Sequence, residues 1–259
     1  MTATGTTPLD PLTPVPMERV HMAISFSING DLRFLSHHDE LRMLARALTR
    51  AGWPVAYSRG FNPQPRIRVP LPRSVGTASE CELAVVELSE PVSCEQLKHS
   101  LAAALPEACR PLRVERMTTH ARPHPRRMRC VVELNTEHTA RLAPRIAELQ
   151  AAEKIDIERS YGPGKPDRTI DIRPYIEKVT LASRKLVLDL AFIDQRTARP
   201  TEVLTKLHLP AETYAHRVRR VEVEWDIELA GRTTDPAGME RNHVGQEESC
   251  RAQEHRRDT

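Results

Sequence analysis

Between Val20 and Met117 short runs of strand period alternate with two stretches of helix period, in the order β-α-β-β-α-β. That order limits the chain to a small set of topologies, because neighbouring runs must pair or pack on one another. Val20 to Ile28 (VHMAISFSI) alternates apolar with small or polar residues, and Asn29-Gly30 is a hairpin signal that makes Leu32 to Leu35 the returning strand. Ser36 can cap a helix over His38 to Ala51, and Asp39 sits where the helix dipole favours an acid. Leu41, Leu44, Ala45, Leu48 and Ala51 share one face of that helix; Arg42, Arg46 and Arg50 share the other, and Gly52 and Pro54 end it. Val55 to Ser58, Arg66 to Leu71 and Glu82 to Leu88 read as strands. Ser93 with Gln96 suggests a capping box before a helix carrying Leu97, Leu101 and Leu105, and Pro111 to Met117 closes the unit.

The second half repeats the order. Met128 to Leu134 reads as a strand and His138 to Ala152 as a helix with Leu142, Ile146 and Leu149 inward. Ile155 to Arg159 and Thr169 to Ile172 follow, around a turn at Gly162-Pro163-Gly164. Then come a hairpin from Val179 to Ala182 and Lys185 to Ile193, a short helix from Pro200 to Leu209, and a strand from Val218 to Trp225. The expected fold is α+β: two tandem ferredoxin-like (βαββαβ) units with antiparallel sheets. The first spans 18–117 and the second 128–230, joined by an Arg/Pro-rich linker at 118–127. Residues 1–17 and 231–259 lack periodic apolar residues and are expected to be disordered.

No run approaches the roughly 18 apolar residues of a membrane span. The Thr/Pro-rich start has neither the basic nor the apolar part of a signal peptide, so a cytoplasmic location is expected. The five cysteines, Cys81, Cys94, Cys109, Cys130 and Cys250, contain no CxxC pair, which speaks against a zinc or redox dithiol site. A glycine-rich phosphate loop, a dinucleotide fingerprint and a nucleophile elbow are all missing, which lowers an enzyme reading without excluding it; no cofactor is expected and no metal site is assigned. Net charge is only +3, yet Arg110, Arg113, Arg116, Arg122, Arg126, Arg127 and Arg129 crowd into twenty residues with one acid, Glu115. Arg59, Arg66, Arg68 and Arg73 make a second basic cluster. Such local cationic surfaces attract phosphates; Arg66, Arg68, Arg122, Arg126, Arg127 and Arg129 are the expected nucleic-acid contacts.

Three polar clusters stand at the ends of these runs, where a scaffold presents binding loops. In the first, Ser36, His37 and Asp39 admit four readings: a helix cap, an anion site at the helix N-terminus, part of a metal site, or an acid/base pair. In the second, Tyr57 to Pro65, Gly60 permits positive φ, Asn62 before Pro63 sets a turn and Pro65 removes a donor, giving a stiff loop that offers Phe61 for stacking, Arg59 for charge, and Ser58 and Asn62 for hydrogen bonds. Phe26, Phe34 and Tyr57 could enlarge the aromatic surface. In the third, Gly76, Ser79 and Glu82 precede or open a strand, with Arg33 or Arg68 as a possible partner for Glu82.

These clusters resemble the motifs of one family, the radical-SAM-associated (radical-SAM-linked) proteins: Ser36, His37 and Asp39 match LSH-x-D, Ser58 to Pro65 match S-x-GFNP-x-P, and Gly76, Ser79 and Glu82 match G-x-x-S-x-x-E. The likeness spans about residues 18–225, with its specific motifs in the first half. Members stand beside or are fused to a radical SAM enzyme, and the family has no established reaction. The CxxxCxxC of a radical SAM enzyme is absent, so the resemblance implies a partner enzyme acting in trans. The leading expectation is a non-catalytic substrate-binding or adaptor module for that enzyme, in RNA or ribosome-related modification. The alternative is a stand-alone metal-dependent or acid/base enzyme, a hydrolase or transferase, using His37, Asp39 and Glu82.

Overall fold

A computed structural model describes residues 19–230 apart from 119–121, 140, 161, 163 and 165. The expectations for both termini, for Cys250 and for part of the 118–127 and 162–164 segments therefore lie outside the described residues. The chain is mixed α/β with a mostly antiparallel sheet.

The first half runs β1 (Val20–Ile28), α1 (His37–Arg50), β2 (Ile67–Arg68), β3 (Ala78–Leu88), α2 (Cys94–Ala104) and β4 (Cys109–Arg116). The second runs β5 (His124–Glu133), α3 (Thr136–Thr139), α4 (Leu142–Ala151), β6 (Asp156–Arg159), β7 (Arg168–Asp171), β8 (Ile176–Ala182), β9 (Lys185–Ala191), α5 (Pro200–Lys206), α6 (Ala211–Tyr214) and β10 (Val218–Asp226).

One eight-stranded sheet crosses both halves in the order β4-β1-β3-β10-β5-β9-β8, with β2 also paired to β3; β6 and β7 form a separate ribbon. Every pairing in the large sheet is antiparallel except β3 with β10, which join the halves through Ala78↔Arg219 and Ser79↔Arg220. β2 pairs with β3 at Val85 and Val86, toward the other end of that strand. Because β2 is only two residues long, the same edge of β3 is left open to receive β10.

Each half packs its own core. Val20, Met22, Ile24 and Phe26 of β1 meet Leu44 and Leu48 of α1 and Leu97 and Leu101 of α2. Leu186, Leu188 and Leu190 of β9 meet Leu142 and Ile146 of α4 and Tyr214 of α6. A third cluster covers the opposite face of β1 and β3, where Ala23, Leu83, Val85 and Met117 receive Trp225, Ile227 and Leu229. β1 is thus covered on both faces, which explains why eight of its nine residues are buried, including His21 and Ser27.

Several local expectations are corrected. Asn29-Gly30 does not start a hairpin: Gly30–Phe34 is a 3-10 turn that leads directly into α1. Gly30 adopts φ +54°, and Asn29 N–H donates to Ala108 O, so that backbone group is satisfied outside any hairpin. Val55 and Tyr57 form isolated bridges to Leu88 and Pro65 instead of a strand. Ser93 precedes α2 with no side-chain cap bond. On α1 the buried stripe is Glu40, Leu44, Ala47 and Leu48; Ala47 takes the place expected of Ala45. Arg126 and Arg127 belong to β5 rather than to a linker.

Candidate functional site

The first and third motif clusters stand beside two buried arginines, Arg73 and Arg220. Ser36 caps α1: its Oγ accepts from Asp39 N–H at 3.2 Å and donates to Asp39 Oδ2 at 2.7 Å. Asp39 is exposed and accepts from Arg42 at 3.3 Å. The Ser36 bond, with Arg42 beside it, holds its carboxyl below the usual range. His37 is partly buried, and its Nδ1 has no hydrogen-bond partner among the described residues. Burial, then the neighbouring His38, lowers its pKa and favours the neutral imidazole.

One turn further on, Glu40 points inward with its side chain 1% exposed and pairs with Arg73 at 3.1 Å, itself 1% exposed. Arg73 also donates to Arg33 O at 2.8 Å and Thr77 O at 2.7 Å. It therefore ties α1, the turn before it and the 73–77 loop together, and is not part of an exposed basic cluster. Gly76, at φ +90°, is enclosed in the same place: a Cβ there would lie 3.7 Å from His216 and from Phe34.

Glu82 is 0% exposed and pairs with Arg220 of β10 at 3.0 Å, not with Arg33 or Arg68. Arg220 also donates to Leu71 O at 3.2 Å and Pro72 O at 3.4 Å. Ser79 is fully buried, and its Oγ accepts from Cys81 N–H at 3.3 Å. The two ion pairs sense each other: burial and the Glu82 charge raise the Glu40 pKa against the pull of Arg73. Each carboxylate keeps one buried oxygen with no partner among the described residues, as does Arg73 Nε.

Neither Glu40 nor Arg220 was singled out by its sequence, although a signal was present for both. Glu40 lies at the i−4 position of Leu44 on the buried stripe, and Arg220 stands two residues after Val218 on the inward face of β10. A charge in register with core positions needs a buried partner.

The Tyr57–Pro65 loop is braced internally and open externally. Ser58 N–H donates to Gln64 O at 2.8 Å, Gln64 N–H to Ser58 Oγ at 2.9 Å, and Arg66 Nε to Tyr57 O at 3.4 Å. At its tip Phe61 is 108% exposed; Arg59, Gly60 and Asn62 beside it are exposed too. Tyr57 and Phe34 are about half exposed, whereas Phe26 is wholly buried and leaves the expected aromatic surface.

Most of the arginines expected to meet nucleic acid already face carboxylates. Arg126 pairs with Asp226 at 3.1 Å and Arg127 with Glu177 at 2.8 Å. Arg129 contacts Asp189 at 2.6 Å and Glu222 at 3.2 Å, and Arg66 contacts Glu87 at 3.2 Å. Arg68 and Arg122 are exposed. The Arg126 and Arg127 pairs are exposed and hold by about 0–1 kcal/mol, so a phosphate can still compete for them, whereas Glu87 opposite Arg66 is buried.

Chemically, the arrangement separates the three catalytic candidates. Glu82 is committed to Arg220, Asp39 to Ser36 and Arg42, and His37 to neither. No group of three His, Cys, Asp or Glu residues is arranged to hold a metal ion among the described residues. No helix there is long and apolar enough to cross a membrane.

A search of curated proteins returns no match. Among solved structures, a protein described as unknown from Galdieria sulphuraria is 14% identical over 82% of this chain and 99% of that one. Its TM-score of 0.25 is too low to carry a fold argument. The sequence model of one family covers residues 21–202, which includes all three motif clusters and most of both halves, and the chain belongs to that family, the uncharacterized proteins conserved in bacteria known as DUF2344.

Proposed function

We propose that this chain is a non-catalytic substrate-binding or adaptor module that presents RNA to a radical SAM enzyme acting in trans. The observation that carries the reading is the Phe61 loop. A phenylalanine at full exposure on a loop held by its own hydrogen bonds does nothing for the core, yet it is preorganised to stack on a base at small entropic cost. Exposed Arg59 and Arg68 flank it with positive charge. The radical SAM partner rests on the motif resemblance alone.

The enzyme alternative is weaker on one count: Glu82, its presumed third catalytic group, is enclosed with Arg220. We also read the two halves as ferredoxin-like units fused edge to edge. In support, the strand order β4-β1-β3-β2 recurs as β10-β5-β9-β8 when each half is ranked by its own first to fourth strand, counting β8 as second and leaving the β6-β7 ribbon aside.

The test is fluorescence anisotropy with labelled single-stranded RNA across a salt series. Phe61→Ala should weaken binding by about 1–3 kcal/mol at every salt concentration. Arg126→Ala with Arg127→Ala should flatten the salt slope. RNA affinity that is absent in the wild type, or unchanged in Phe61→Ala, refutes the reading.

A further inference from the structure

We infer that the groove beside α1 docks an acidic, apolar-faced peptide segment of a partner protein. The groove encloses about 420 Å³. Leu32, Leu35, Met43 and Pro106 form its apolar floor. Leu32 and Met43 also pack against the first core, so this floor is held in place from beneath. No residue of the Phe61 loop lines it.

Along its rim stand Arg42, Arg46 and Arg50, together with Asp39. Their spacing of four residues puts successive arginines about 6 Å apart on one helix face. Asp39 offsets Arg42 at 3.3 Å, and Arg50 donates to Ala104 O at 2.6 Å, a neutral acceptor that leaves its charge uncompensated. Arg46 has no hydrogen-bond or ion-pair partner among the described residues. The rim thus carries an excess of positive charge over a hydrophobic floor.

That combination selects the occupant. The charge calls for carboxylates or phosphates, and the floor decides between them. No aromatic side chain lines the groove, so bases would find no stacking surface. Leucine and methionine instead accept apolar side chains, and methionine adapts to their shape. An acidic peptide with an apolar face satisfies floor and rim together, with charge at the rim steering its approach.

The experiment selects binders from a random peptide library on the full chain, then measures one enriched, labelled peptide by anisotropy. The variants are Arg42→Glu with Arg46→Glu, Met43→Glu, and Phe61→Ala, each checked for folding by circular dichroism. Enriched peptides should combine Asp or Glu with Leu, Ile or Phe. Affinity should fall roughly tenfold or more in both groove variants and stay unchanged in Phe61→Ala. Enrichment of peptides without acids, or wild-type affinity in either groove variant, overturns the inference. So does loss of RNA binding in Arg42→Glu with Arg46→Glu, which would make the groove a nucleic-acid site. RNA binding lost only in Phe61→Ala bears on the function proposed above and leaves the groove's peptide result to stand by itself.

Discussion

Removing the Glu82 carboxylate tests whether the third motif cluster is structural. In Glu82→Ala the Arg220 guanidinium stays behind, 7% exposed, with only Leu71 O and Pro72 O as partners. Stripping one member from a buried ion pair costs about 3–5 kcal/mol, because the surviving charge is neither solvated nor neutralised. At about 2–4 °C per kcal/mol for a chain of this size, Tm should fall by roughly 6–20 °C. The double variant Glu82→Leu with Arg220→Met removes both charges and keeps most of the volume. Its cost comes mainly from the two carbonyls that lose their donor, at about 1 kcal/mol each, so it should be more stable than the single variant. Urea titrations followed by near-UV circular dichroism give both numbers. If Glu82→Ala lies within about 1 kcal/mol of wild type, the ion pair is not what holds Glu82 in place, and a catalytic role for it regains force.

Other outcomes are equally specific. Glu40 has a raised pKa in the fold, so it keeps its proton to higher pH there than in the unfolded chain, and its contribution to stability is lost as pH rises through the folded value. Glu40→Gln should therefore gain on wild type as pH climbs from the acid end toward neutrality, and a stability difference that is flat with pH would contradict this. Burial pushes the thiols of Cys81 and Cys109 up to about 12 and that of Cys130 to about 11. All three should resist iodoacetamide at mildly alkaline pH until denaturant is added; rapid labelling of the native chain, mapped by mass spectrometry, would refute that. Gly76→Ala must hold a Cβ at φ +90°, and should cost about 1–3 kcal/mol in a urea titration even though its neighbours at 3.7 Å leave room.

Much of the architecture was legible from periodicity. The strand character of Val20–Ile28 and of Lys185–Ala191, the helix at His37–Arg50 and its Ser36 cap all follow from residue spacing and local hydrogen bonding, which act within a few residues. The brace of the Phe61 loop was partly legible for the same reason, since Pro63 and Pro65 restrict the backbone wherever the loop sits. The misread Asn29-Gly30 turn marks the limit of such reasoning. Its dipeptide suits a hairpin, but Ala108, distant in sequence, accepts the Asn29 N–H, and the chain enters a 3-10 turn.

What no local pattern could supply was the pairing of charges across the sheet. Glu82 and Arg220 are 138 residues apart, and Arg73 meets Glu40 across 33. Choosing Arg220 over Arg33 or Arg68 required knowing that β10 lies against β3, and that contact exists because β2 stops after two residues and leaves the edge free. The motif residues were visible as a set from the sequence. Their division into a buried scaffold around Arg73 and Arg220 and an exposed loop around Phe61 was decided by tertiary packing, because burial is a property of what surrounds a side chain and not of the side chain itself.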